Sequence, residues 1–334
     1  MDETVRLKDI AEALGTSVVT VSNALSGKKG VSDEVRQKIR DKARELGYES
    51  AKYTTERSSS VTIGVIVAAR YIRVGISFYW MMYQQIVYAA SGRSGFTMLE
   101  VVEEEAEKRR ELPKLSYDGN VSGLIIIGQM DMEYIRRIRN FLDIPVVLMD
   151  FNCQELECDS ILSNNYMGMY KMTRYLLSHG HREIGYIGQI QGNDNLCDRY
   201  FGYRKALSEQ GISINSDWIV EGERVIYREF DLSLLHSMPT AFVCCSDLVA
   251  SFVYDELIRL GYRVPEDVSL VGYDNYLLNH PLAKTLTTYN VDMKAMSQTA
   301  IRILLKKING KEDYSGVRYL DSYVKERSSV KYLE

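Results

Sequence analysis

Long apolar runs are missing from this chain. No segment reaches about 18 consecutive apolar residues, the length a membrane-spanning helix needs, and no apolar stretch follows a basic start as in a secretory signal. A cytoplasmic protein without a membrane partner is expected. Cysteine is sparse and odd in number: Cys153, Cys158, Cys197, Cys244 and Cys245 have no paired metal spacing, which argues against a disulfide framework or a zinc module. Reduced, partly buried thiols and no bound metal are expected. Of the four histidines, His179, His181, His236 and His280, only the HGH pair is close in sequence. In LSHGHREIGYIG that pair reads as helix end, glycine cap and strand entry. The GxSxG, Walker and GxGxxG patterns are all absent, so esterase and nucleotide-binding fingerprints are lacking. Neither a cofactor nor an enzymatic role is expected.

What the chain does contain is concentrated at its start. In residues 7–48, Leu7, Ile10, Ala11 and Leu14 recur at helical spacing, and Gly15 can stop that helix in the left-handed region. Thr16 or Ser17 can cap a second helix whose Val21, Ala24 and Leu25 face inward while Val18, Val19, Ser22 and Asn23 point out. Ser32 and SDEV open a third helix carrying Val35, Ile39, Ala43 and Leu46, which Gly47 can end. The short glycine-containing turn between the first two helices is a helix-turn-helix signature. A plain three-helix bundle is the competing reading of the apolar pattern. Charge leans toward the first: residues 6–48 hold nine Lys and Arg against six Asp and Glu, in a chain of formal net charge −4.

The run KDIAEALGTSVVTVSNALSGKKGVSDEVRQKIRDKARELGY resembles the DNA-binding headpiece of the lactose-repressor (LacI/GalR) family of bacterial transcription regulators. TVSNAL, then VS, then LGY stand in the family's order and spacing. The resemblance implies that Val18, Val19 and Asn23 meet base edges in the major groove of an operator. Asn can bond adenine in bidentate fashion, whereas valine offers only apolar contact, for instance to a thymine methyl. Many relatives carry Arg where Asn23 stands, so their usual guanine contact at that position does not carry over and the operator sequence stays open. Ser17, Thr20, Ser22, Ser26 and Lys28 are the expected phosphate contacts, which fix register without reading sequence. Taken singly, each of these polar residues reads equally as a cap or a solvated face. So small a charge excess on one headpiece implies two copies, a homodimer on a pseudo-palindromic operator.

Residues 49–60, ESAKYTTERSSS, are polar and have no apolar face, marking a boundary. In the family this stretch is a hinge helix that wedges a leucine into the minor groove. Ser50 and Glu56 stand here near the expected Asn and Leu, and a carboxylate cannot act as an apolar wedge. Tyr53 is the candidate substitute, with a flexible tether as the alternative.

Beyond residue 61, short apolar runs (VTIGVIVAA, GFTMLEVV, GLIIIGQ, PVVLMDF, EIGYIGQI, TAFVCCSD, VSLVGYDN) alternate with helical stretches, which predicts parallel sheets covered by helices. Two doubly wound lobes follow, with a crevice outside the carboxyl ends of the strands. IPVVLMD, RYFGYRKAL, CSDLVASFVYDELIRLGYRVPEDVSLVGYDN and LTTYNVDMKAM resemble landmarks of the same family's effector domain. The expected fold is therefore an all-α helix-turn-helix headpiece, 1–48, a linker, 49–60, and a two-lobed, periplasmic-binding-protein-like α/β domain, 61–334. The resemblance puts 61–163 and 291–323 in the lobe near DNA, and 164–290 and 324–334 in the far lobe.

Matched to that pattern, Asp150, Arg199 and Asp274 hold a small effector. Carboxylates and a guanidinium suit vicinal hydroxyls, so a carbohydrate is the chemical default, although Arg199 could also take a sugar phosphate or acid. Asp150 and Asp274 read otherwise as turn formers and Arg199 as a surface ion pair. Tyr79 and Trp80 are favoured as aromatic contacts, with Ser246 and Tyr276 beside them; Phe78 and Trp218 are further candidates. Arg70 and Arg73 are expected at the cleft mouth, and Asp247 as a helix cap rather than a ligand contact. A sugar-binding module or a Rossmann-type enzyme without a regulatory role is the alternative function.

Overall fold

The computed structural model describes residues 5–25, 31–46, 48, 61–72, 78–93, 95–153, 155–191, 194–222, 225, 228–311 and 315–334. The chain divides into two compact units, Met1–Val61 and Thr62–Glu334.

In the first unit, α1 (Leu7–Ala13), α2 (Val18–Leu25) and α3 (Asp33–Glu45) close around Ile10, Ala11, Val21, Ala24, Leu25, Ile39 and Ala43. Gly15 turns the chain between α1 and α2 at φ +62°. Ser17 is the cap of α2: its Oγ accepts from the Thr20 amide at 3.0 Å. The other end of α2 is closed from outside. Arg36 of α3 donates from Nη1 to the carbonyls of Ala24 (2.8 Å) and Asn23 (3.3 Å) in the last turn of α2, where helix ends leave carbonyls in need of outside donors. Val35, expected with the apolar positions of α3, is 40% exposed.

The second unit holds two six-stranded sheets, ordered β11-β5-β4-β3-β1-β2 and β12-β10-β9-β8-β6-β7. The first sheet comprises β1 (Thr62–Ala68), β2 (Phe96–Val102), β3 (Val121–Ile127), β4 (Val146–Met149), β5 (Asp159–Ser163) and β11 (Val317–Leu320). All its pairings are parallel. The second sheet comprises β6 (Ile184–Gly188), β7 (Ile219–Glu221), β8 (Ala241–Cys244), β9 (Ser269–Asp274), β10 (Thr287–Asn290) and β12 (Val324–Lys325). Only its edge strand β12 is antiparallel. Because parallel strands need crossover helices, both sheets are covered: α4 (Phe78–Ser91), α5 (Glu104–Lys108) and α6 (Met132–Phe141) follow β1, β2 and β3. Likewise α7 (Asn165–Ser178), α8 (Asp194–Ser208) and α9 (Asp247–Arg259) serve the second sheet, while α10 (Met293–Ile308) returns to pack on the first.

The chain passes between the sheets three times, after Ser163, Asn290 and Leu320. Hydrogen bonds tie the three crossings together. The Asn164 amide donates to the Leu320 carbonyl (3.0 Å), Asn290 to that of Tyr323 (2.9 Å), and the Ser322 amide to the Tyr289 hydroxyl (2.6 Å). Two lobes joined by three adjacent crossings can change their mutual angle with dihedral changes confined to those few residues. The HGH segment ends α7, with Gly180 at φ +88° before β6. His181 is buried between the Thr240 hydroxyl and the Lys331 carbonyl, and burial pushes its imidazole down to about 4. No helix among the described residues is long and apolar enough to cross a membrane.

Helices α7 and α8 approach closely because Gly202 has no side chain: a Cβ there would lie 2.2 Å from the Tyr166 carbonyl oxygen. Gly202→Ala should therefore force the two backbones apart and cost about 1–3 kcal/mol, read as a lower melting temperature in calorimetry. An unchanged melting temperature would show that this helix pair has slack.

Candidate functional site

Two surfaces carry the residues that the sequence singles out. On the headpiece, Val18 and Val19 begin α2 and are 43% and 67% exposed, the solvent-facing side of a helix whose Val21, Ala24 and Leu25 are buried. Asn23 is half-buried on the same helix, and its carbonyl is held by Arg36. Ser17 and Thr20 bond each other through their hydroxyls at 2.8 Å, and Ser22 is exposed. Ser26, Lys28, Tyr53 and the 49–60 linker lie outside the described residues.

The second surface is the cleft at the carboxyl ends of both sheets. Asp150 directly follows β4, and Asp274 ends β9; both have positive φ, 64° and 115°. Such conformations are costly for residues with a Cβ and persist only where the surroundings enforce them. Arg199, in the second turn of α8, joins the two lobes' chemistry. Its Nε donates to Asn165 Oδ1 (2.8 Å) and its Nη1 to the Cys245 carbonyl (2.7 Å). The same Nη1 lies 3.3 Å from Asp274 Oδ1, and the guanidinium carbon stands 3.8 Å from the Tyr273 ring centroid. From the other lobe, Tyr79 donates its hydroxyl to Asp150 Oδ2 at 3.0 Å, while Asn195 of α8 donates to the Asp150 carbonyl at 2.7 Å. The sequence's three charged candidates are thus brought to one buried place.

Burial governs the protonation of this cluster. It pushes the Asp150 carboxyl up to about 6, against the pull of Arg199 and the bond from Tyr79. Asp274 is also raised by burial and by the neighbouring carboxylates, with Arg199 opposing them. Burial, with the nearby Asp150, raises Tyr79 well above the usual phenol range, so it stays a donor. Asp150 Oδ1 is buried and has no hydrogen-bond partner.

Other expectations are placed differently. Asp247 does not cap α9; Ser246 does, accepting the Val249 amide, so the Ser246 side chain serves its own helix. Asp247 is instead a buried anchor, accepting the Tyr276 amide (2.8 Å) and the Thr288 hydroxyl (2.6 Å), and burial raises it to about 7. It thereby holds the turn after Asp274, and Gly272 is required beside it, since a Cβ there would lie 2.2 Å from Asp247 Oδ1. Tyr276 meets Phe78 of the opposite lobe edge-on, with centroids 6.1 Å apart, whereas Trp80 packs on Tyr83 of its own helix. Arg70 is not available at the cleft mouth: both its Nη atoms donate to the buried Glu107, and Nη2 also bonds the Gln129 carbonyl. Arg73 lies outside the described residues. Trp218 sits at the amino end of the second sheet, beside Gly185, and donates to the Ser237 carbonyl, away from the strand ends that bear the cleft. Asn165, Asn195 and Tyr273 complete the cluster without having been legible as site residues. A neutral amide one residue into a helix, or a Tyr within a strand, carries no signal separable from ordinary capping and core.

A helix-turn-helix unit followed by two doubly wound lobes around a buried polar cleft defines a DNA-binding regulator rather than an isolated binding module. Comparison with known proteins agrees. The model for bacterial regulatory proteins of the lacI family matches residues 6–50, and that for a periplasmic binding protein-like domain matches residues 173–330. The ribose operon repressor of Haemophilus influenzae is 31% identical over 324 residues, covering 92% of this chain and 93% of that protein. The transcriptional repressor PurR of Vibrio campbellii is 26% identical, covering 98% and 99%. Among solved structures, the Lac repressor dimer bound to operator and the anti-inducer ONPF has a TM-score of 0.70 at 22% identity, covering 98% of this chain and all of that one. An Enterococcus faecium regulator with bound ribose has a TM-score of 0.66 at 24% identity, covering 82% and 100%. The chain belongs to the LacI family of bacterial transcriptional regulators, as a DNA-binding repressor.

Proposed function

We propose that the protein represses transcription as a homodimer on a pseudo-palindromic operator in the cytoplasm, and that a sugar or sugar derivative bound between its lobes sets its operator affinity. The observation that carries the ligand reading is the buried cluster of Asp150, Arg199 and Asp274, drawn from both lobes to the carboxyl ends of their strands. A ligand touching both lobes binds one lobe angle better than another, and only such differential binding can shift operator affinity. The names of the ribose operon repressor and of the ribose-bound regulator support a carbohydrate. The relatives named PurR favour a purine as the second reading. Dimer formation is supported by the apolar residues that α9 and its surroundings expose, Leu248 (52%) and Ile258 (47%) with Leu234 (77%) and Leu278 (44%).

The experiment is a footprint on DNA upstream of the protein's own gene, with and without ligands identified by thermal shift, since a ligand selective for the folded state raises the melting temperature. No protection at any concentration would sink the repressor reading; protection unaffected by every stabilising ligand would sink the effector reading. Turnover of a candidate sugar would favour an enzyme instead. In the headpiece, Asn23→Ala should weaken operator binding roughly 10- to 100-fold and relax preference at one base pair per half-site. An unchanged preference in a binding-site selection would remove Asn23 from the base-reading residues.

A further inference from the structure

We propose that the site between the lobes takes an uncharged or cationic ligand rich in hydrogen-bond donors, and rejects ligands bearing phosphate or carboxylate. This rests on the cleft reading above and narrows it. Arg199 alone would suggest the opposite, but its positive charge is already engaged. Nε and Nη1 are committed to Asn165, the Cys245 carbonyl and Asp274, and its face lies on Tyr273. Two buried carboxyl groups, Asp150 and Asp247, and the partly buried Asp274 all interact electrostatically with that one guanidinium.

Among the described residues, two other cations of the neighbourhood are similarly engaged. Arg70 is paired with Glu107, and Arg327 donates to Asn275 Oδ1 (2.7 Å) and the Leu286 carbonyl (2.6 Å). The amino ends of α8 and α9 would otherwise favour an anion, yet each carries its own carboxylate in the first turn, Asp194 and Asp247. An incoming phosphate would therefore add like charge to a desolvated, acid-rich site.

The complementary observation is what the site lacks. Asp150 Oδ2 receives Tyr79 and the Asp150 carbonyl receives Asn195, but the buried Oδ1 receives nothing. A carboxylate oxygen can only accept, so the missing partner is a donor, a hydroxyl or amino group of a ligand. The groups facing Asp150 are Tyr71 and Tyr79 from one lobe, and Arg199, Asn195 and Asp274 from the other. A donor to Oδ1 favours the ionised carboxyl, so binding releases a proton. Affinity should be full above pH 7 and fall as pH drops through about 6, where burial places the free Asp150 carboxyl.

The test is a thermal-shift and titration-calorimetry panel on the full chain with matched probes. These are neutral sugars (ribose, glucose, cellobiose), glucosamine, the 6- and 5-phosphates of glucose and ribose, gluconate, and the purine bases adenine and hypoxanthine. A hit among the uncharged or amino probes, with at least about 100-fold weaker binding of its phosphorylated or acidic counterpart, is the expected result. Asp150→Asn, which keeps shape and removes charge, should weaken the neutral hit about 10- to 100-fold and narrow its margin over the anion, while its ligand-free melting temperature reports folding. A phosphate or acid as the best ligand, lost in the Arg199→Met variant, overturns the charge inference and leaves the cleft reading standing. A hit of any class unaffected by both substitutions overturns the cleft reading itself. Silence from every neutral, amino and purine probe overturns the inference.

Discussion

Arg199→Met should abolish the ligand response and lower the melting temperature of the larger unit by roughly 10 °C at pH 7. The side chain is buried and holds three groups from three elements: Asn165 of α7, the carbonyl after β8, and Asp274 of β9. Removing one partner of a buried charged set leaves the others uncompensated, at a cost of about 3–5 kcal/mol, and in a unit of this size each kcal/mol moves the transition by about 2–4 °C. The loss should depend on pH in a defined direction. Asp150 and Asp274 are already raised by burial, and Arg199 is what pulls them back. Without it their folded-state pKa values rise further, so the native state holds more protons than the unfolded chain, and stability increases as pH falls from 7 toward 5. Melting curves of wild type and variant at pH 7 and pH 5 should converge toward the acid side. Operator binding without ligand should persist at temperatures below the transition. A variant that melts and responds like wild type would remove Arg199 from the site altogether.

Ile39→Ala should have the complementary effect, eliminating operator binding while leaving ligand binding and the main thermal transition intact. Ile39 is fully buried among Ile10, Val21, Ala24 and Ala43, in a unit of three short helices. Truncating a buried isoleucine costs about 2–5 kcal/mol, and so small a core supplies only about 3–5 kcal/mol in total. The headpiece should therefore unfold, as seen by rapid proteolysis near its end and by a lost gel shift. The larger unit shares no core residue with it and should keep its calorimetric peak. Retained operator affinity would show that DNA or the dimer supplies stability that the headpiece core lacks.

These two substitutions separate the part of the molecule that was legible in sequence from the part that was not. The headpiece is local: its helices, its Gly15 turn, its Ser17 cap and its buried positions follow from spacings within 40 or so residues, as expected where contacts are near in sequence. In the larger unit, the apolar strands β1, β2, β3, β4, β6, β8 and β9 stood out. The strands β5, β7, β10, β11 and β12 did not, because DSILS, TTYN and the edge segments are polar or short. Yet β5 is wholly buried, with Asp159 neutralised by Lys307 and Arg318 from α10 and β11, partners some 150 residues away. Local polarity cannot announce a burial that distant charges make tolerable.

The candidate site divides along the same line. By itself, the sequence determined that this is a helix-turn-helix regulator with a two-lobed α/β domain, and that Asp150, Arg199 and Asp274 stand at motif positions. Those are matters of period, punctuation and pattern. Only the tertiary structure decided that Asp247 anchors the Asp274 turn rather than capping a helix, that Arg70 is engaged by Glu107, and that Arg199 is held by Asn165, the Cys245 carbonyl and Asp274. Each of these depends on which oxygen lies within bonding distance of which nitrogen once two sheets are packed. Hydrogen bonds and buried charges act over a few ångströms, and sequence separation does not report that distance.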